Sequence, residues 1–105
     1  MEIRFSYEEK EIIAQIKGDI DHHYAKQLRE EIDAELDESH PLLLIIDLSL
    51  VEFMDSSGLG LILGRYKKMN TWDGKVKVIG VKKQVSKVMS VGILSKYVEI
   101  EGERI

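Results

Sequence analysis

Residues 47 to 66 read DLSLVEFMDSSGLGLILGRY. A polar turn, Asp55-Ser56-Ser57-Gly58, runs straight into an apolar segment with further glycines at Gly60 and Gly64. Just upstream, Leu42 to Ile46 is an unbroken apolar run closed by Asp47. Such a run marks a strand that is apolar on both sides, central in its sheet, with helices covering both faces. Downstream, Leu59, Ile62, Leu63 and Tyr66 recur at helical spacing, which predicts a helix starting near Ser57. Gly60 and Gly64 share one face of that helix. Each costs a helix roughly 1 kcal/mol relative to alanine. The pair therefore predicts the close approach of another backbone, from this chain or from a partner.

Working outward, Ile3, Phe5 and Tyr7 alternate with polar residues in the period of a strand. A charged turn, Glu8 to Glu11, leads to a second strand, Ile12 to Lys17, which pairs with the first as a hairpin. Gly18 ends it, and Asp19-Ile20-Asp21 forms a loop. Ala25, Leu28, Ile32 and Leu36 then mark one apolar face of a helix, with Asp21 as its N-cap. Pro41 separates that helix from the apolar run. After a turn at Asn70 to Gly74, Val76 and Val78 alternate with lysines in a fourth strand. Val85, Val88 and Met89 suggest a short third helix stopped by Gly92, and Tyr97 to Ile100 a last strand.

Helices are expected near residues 24–37, 57–69 and 83–91. The order β-β-α-β-α-β-α-β predicts an α/β fold, a mixed, mostly parallel sheet of four or five strands with flanking helices. Residues 1–105 read as one domain. Parallel sheets place ligand and modification sites at their strand tips. Asp21 and Ser56 are both expected at that end.

Composition narrows the function. A net charge of -4 argues against a nucleic-acid binder. The chain has no cysteine, so disulfide and thiolate chemistry are excluded. The start, MEIRFSYEEKE, has no signal-peptide core, and the longest apolar run is too short to span a bilayer. The expectation is a soluble, cytoplasmic protein without a membrane role.

At Ser56 the residues support two readings. A helix N-terminus offers free backbone N–H groups and partial positive charge, so a phosphoryl group on Ser56 is accommodated there. Gly58 and Gly60 leave room for another protein's active site. Alternatively, Asp55, Ser56 or Ser57 simply caps the helix, which on composition alone is the commoner case.

Other chemistries fit poorly. His22 and His23 are adjacent, so on a helix they diverge by about 100° and do not share a metal easily; no metal site is expected. The Ser turn is not a G-x-S-x-G elbow. Asp47 ends its strand as a phospho-aspartate receiver's acceptor would, but the acidic pair that would hold Mg²⁺ falls in a hairpin turn instead. No phosphate-binding glycine loop is present. Lys82, Lys83 and Lys87 read as a solvated helix face.

Gly18-Asp19-Ile20-Asp21-His22-His23, Phe53-Met54-Asp55-Ser56-Ser57-Gly58-Leu59-Gly60 and Ile62-Leu63-Gly64-Arg65-Tyr66 together closely resemble anti-sigma factor antagonists of the STAS fold, most of all the sporulation-type, anti-sigma F members. The resemblance runs from about residue 3 to residue 100. It implies a binder that is itself a substrate, not an enzyme, and that needs no cofactor. Such proteins bind a nucleotide-bound anti-sigma factor serine kinase and so release a sigma factor. The kinase then phosphorylates the first serine of DSSG, here Ser56, and a metal-dependent serine phosphatase restores it. The partner-binding set implied is Asp21, Ser56, Ser57, Gly58, Leu59 and Gly60. The alternatives are a STAS module of another assembly, such as a stress-signalling complex, and an enzyme with Ser56 as nucleophile. Family members usually continue into a further amphipathic helix after the last strand. This chain stops at Ile105, so the sheet face such a helix would cover is expected to be exposed.

Overall fold

Alternating apolar residues build the first two strands. The computed structural model, which describes residues 1–89 and 93–102, pairs β1 (Glu2–Glu8) with β2 (Glu11–Lys17) in an antiparallel hairpin. β2 then pairs in parallel with β3 (Leu43–Leu50), β3 with β4 (Lys75–Val81), and β4 with β5 (Glu99–Gly102). The sheet order is β1-β2-β3-β4-β5, so β3 is central. Three helices connect the parallel strands: α1 (His22–Ser39), α2 (Ser56–Asn70) and α3 (Lys83–Met89). A 3-10 turn, Ile93–Lys96, precedes β5. Gly92 lies outside the described residues, as does the end of the third helix expected near residue 91. Among the described residues no helix is long and apolar enough to cross a membrane.

β3 departs from expectation in two ways. The strand does not close at Asp47 but continues to Leu50. Asp47 is retained inside it because its carboxylate is occupied. Oδ1 accepts from the Ser49 N–H at 2.9 Å and Oδ2 from Gln15 Nε2 at 3.1 Å. Nor, among the described residues, do helices cover both sheet faces. Ile12, Ala14, Ile16, Leu44, Ile46, Leu48, Val76 and Val78 point to one face and join the buried residues of all three helices in a single core. Each such Leu or Ile contributes about 1.5–3 kcal/mol by leaving water. The register places Ile13, Ile45 and Lys77 side by side on the other face. There Ile45 is only half-buried. Beside it in register lies Lys77, whose ammonium is 3.4 Å from Glu101.

α1 follows its sequence signal closely. Leu28, Ile32 and Leu36 are buried, and Asp21 caps the helix by accepting from the Tyr24 N–H at 3.1 Å. In α2 the buried line is Gly58, Leu61, Ile62, Arg65 and Met69, with Leu59, Leu63 and Tyr66 half-buried beside it. The expected stripe is thus real but off-centre. The cause is Arg65, only 6% exposed, which enters the core because its Nε lies 2.9 Å from Asp33 Oδ1 on α1. Burial lowers the pKa of this guanidinium from its ordinary value; Asp33 opposes the shift and Arg29 adds to it.

Candidate functional site

The loops before α1 and α2 meet at the C-terminal end of β3. Ile20 and Met54 form a parallel bridge. The Ile20 N–H donates to the Phe53 carbonyl at 2.9 Å, and the Asp55 N–H to the Ile20 carbonyl at 3.0 Å. Gly18, at a φ of 110°, makes the turn that leads β2 into this bridge. From the opposite side Lys82 pairs with Glu52, which also accepts from Gln84 Nε2 at 3.1 Å. Lys82 is therefore not part of a freely solvated stripe. It lies before α3 and clamps the segment that carries the serines.

Asp55 is the hub. It caps α2 with Oδ1, accepting from the Ser57 N–H at 2.8 Å. Its Oδ2 accepts from the His22 N–H at 3.3 Å, so one carboxylate ties together the first residues of both helices. The Ser57 backbone bond, followed by the Ser57 side chain and then His22, holds the Asp55 carboxyl below its ordinary value against a desolvation effect in the other direction. By sequence alone Asp55 is one of three interchangeable caps. Its position directly before two serines at a helix start was the available signal; the bond across to His22 had none.

The two serines are not equivalent. Ser56 is the first residue of α2 and is exposed, and its hydroxyl has no hydrogen-bond partner among the described residues. Ser57 is half-buried, with its N–H and hydroxyl both turned to Asp55. Gly58 is buried rather than open. A Cβ there would come within 2.3 Å of Met54 Cγ and Sδ, so glycine lets α2 lie down on a buried methionine. Gly60 is exposed, and a Cβ at either Gly60 or Gly64 would meet nothing within 4 Å. The close approach predicted for that pair is absent among the described residues. Leu59 is half-buried and Phe53 is 53% exposed. Asp21 sits at the same sheet end but is engaged in capping α1; no hydrogen bond joins it to Ser56 among the described residues.

Among the described residues, Ser56 presents an exposed hydroxyl with no base hydrogen-bonded to it. Backbone N–H groups at the start of α2 and a low-pKa carboxylate surround Ser56, and the site is shallow and open.

Residues 5–103 match the STAS domain family. The anti-sigma F factor antagonist of Paenibacillus polymyxa is 31% identical over 95% of this chain and 86% of its own length. Among solved structures, the anti-sigma factor antagonist SpoIIAA in its unphosphorylated form has a TM-score of 0.82 at 24% identity, covering 94% of this chain and 87% of that one. SpoIIAA of Bacillus in its phosphorylated form has a TM-score of 0.73 at 23% identity, covering 94% and 90%. These two structures establish the fold, while the extent of the domain match and the identity to the Paenibacillus antagonist establish the lineage: the chain belongs to the STAS-domain anti-sigma factor antagonists.

Proposed function

We propose that this protein acts in the cytoplasm as a single STAS domain spanning residues 1–105. It binds a nucleotide-bound anti-sigma serine kinase and is switched off by phosphorylation of Ser56. In this reading Asp21, Ser56, Ser57, Leu59 and Gly60 form the contact surface, and Gly58 supports it from beneath. A metal-dependent serine phosphatase restores the binding form. The protein is a substrate and a binder, not a catalyst.

The observation that carries this reading is the difference between the adjacent serines. An acceptor must bring its oxygen into another protein's active site. Ser56 offers an exposed, uncommitted hydroxyl, whereas that of Ser57 faces the carboxylate that caps the helix. A phosphate at the first position of α2 also gains from the helix dipole.

Incubation with the host's anti-sigma kinase and ATP should add one phosphoryl group, which peptide mass spectrometry should locate at Ser56. Ser56→Ala should abolish the modification, and Ser57→Ala should retain part of it. Phosphate found mainly on Ser57 would overturn the assignment. Stoichiometric labelling of Ser56 by a phosphonate probe would point instead to a nucleophilic enzyme.

A further inference from the structure

Beside the serines, α1 and α2 do not close on each other. An open groove of about 410 Å³ runs between their N-terminal halves. Its α1 wall carries His22, Lys26 and Arg29, spaced at three- and four-residue steps along one helix face. Ser57, Gly60 and Leu61 form the α2 wall.

Two independent features set this groove apart. The first is charge. The chain as a whole carries -4, yet among the described residues no carboxylate lines the groove. Lys26 and Arg29 have no ion-pair partner among the described residues. Arg65, one helical turn beyond Leu61, is buried and paired with Asp33 and does not line the groove. The second feature is shape. Glycine is a poor helix former, and nothing in this chain's own packing requires it at Gly60, where a Cβ would meet open space. What Gly60 does is keep the groove wall low opposite Ala25, which also lines the groove.

We propose that this groove is a dock for an acidic segment of the kinase, whose side-chain carboxylates pair with Lys26 and Arg29. The inference rests on the kinase-binding reading above and extends the contact surface from the serine turn onto α1. Arg29 presents a planar fork that matches a carboxylate in bidentate fashion, and Lys26 supplies a more mobile point charge. Both are exposed, so they act first on encounter, raising the association rate in a salt-dependent way. A partner backbone or short acidic side chain then seats against Gly60.

The test uses the purified host anti-sigma kinase with ADP, titrated by calorimetry and followed by stopped-flow at low and physiological salt. Its variants are Lys26→Glu with Arg29→Glu, Arg29→Gln alone, and Gly60→Ala. Circular dichroism melting monitors the fold. The double variant should lose about tenfold or more in affinity, mostly through slower association. Its association should also lose the salt dependence of the wild type, and Arg29→Gln should fall between the two. Gly60→Ala should melt no lower than wild type and yet bind more weakly. Equal affinity and equal salt dependence across wild type and charge variants overturn the dock while leaving kinase binding intact. A wild-type protein that does not bind the kinase overturns both.

Discussion

The inner and outer faces of α2 use the same residue for opposite ends. On the inner face Gly58 is buried, and its missing side chain is filled by Met54. On the outer face Gly60 and Gly64 look into open space. Packing requires glycine at the inner position and, among the described residues, not at the outer pair. The inner face is also where a charge is spent on structure, through Arg65 and Asp33. Among the described residues the outer edge keeps its chemistry uncommitted, with the Ser56 hydroxyl unpaired and Lys26 and Arg29 free of ion pairs across the groove. A single helix thus separates stability from recognition, and the two can be perturbed independently.

The largest expected effect falls on the outer edge and only on binding. Phosphoserine at Ser56 adds about -1.5 to -2 charge near neutral pH. Free in water, that charge rests on the helix N-terminus. Against a nucleotide's phosphates it meets repulsion and loses hydration. A penalty of about 3 kcal/mol corresponds to roughly a hundredfold loss of affinity. Phospho-Ser56 protein should keep its circular dichroism spectrum and melting temperature but lose the ADP-bound kinase in calorimetry. Equal affinity of the two forms would remove the switch.

On the inner face the effect should be on stability. Gly58→Ala forces a methyl group onto Met54, which is 2% exposed and has little room to move. Overpacking of this kind costs about 1–3 kcal/mol, which urea denaturation would read as a lower midpoint with an unchanged slope. If Gly58→Ala melts like wild type, the two faces do not differ as described.

Asp55 sits on the seam between the faces, and pH tests it. Its folded pKa is depressed below its ordinary 3.8, chiefly by the Ser57 backbone bond. The sign follows directly. Above 3.8 the ionised cap contributes fully, and that contribution fades as pH falls through the lower, folded value. Asp55→Ala should therefore melt lower than wild type at pH 6, and the gap between them should narrow in strong acid. A gap that is constant with pH would mean the carboxylate's charge has no part in joining α1 to α2.

How much of this was legible in the sequence depended on the range of the interaction. α1 was readable because its period and its cap at Asp21 are local. The hairpin, the central strand and the serine turn were readable for the same reason. What escaped was set by distant partners. No local signal marks Arg65 for burial, because Asp33, which draws it inward, lies on another helix. Ile45 sits in an apolar run, but its neighbours in register are Ile13 on β2 and Lys77 on β4, and the described helices pack against the opposite face. Asp47 read as a strand end because Gln15, which holds it in place, belongs to β2. The two serines looked alike because Asp55 chooses between them by geometry alone. Gly60 and Gly64 announced a close approach at their own positions on α2. The structure puts that contact at Gly58 and leaves the pair at Gly60 and Gly64 empty.

That empty pair supports the smallest and sharpest prediction. Gly64→Ala places a methyl group where nothing lies within 4 Å, so no packing is lost. Alanine is preferred over glycine in a helix interior by up to about 1 kcal/mol. For a domain of this size each kcal/mol moves the melting temperature by about 4–8 °C. Gly64→Ala should therefore melt a few degrees higher than wild type, the opposite sign to Gly58→Ala in the same helix. Gly64 does not line the groove between α1 and α2, whereas Gly60 does. Alanine at either position should be stabilising or neutral for the fold, but only at Gly60 should it weaken kinase binding. Destabilisation by Gly64→Ala would show that the outer face is packed in solution. Equal loss of binding from both substitutions would place the contact along the whole glycine face and not in the groove.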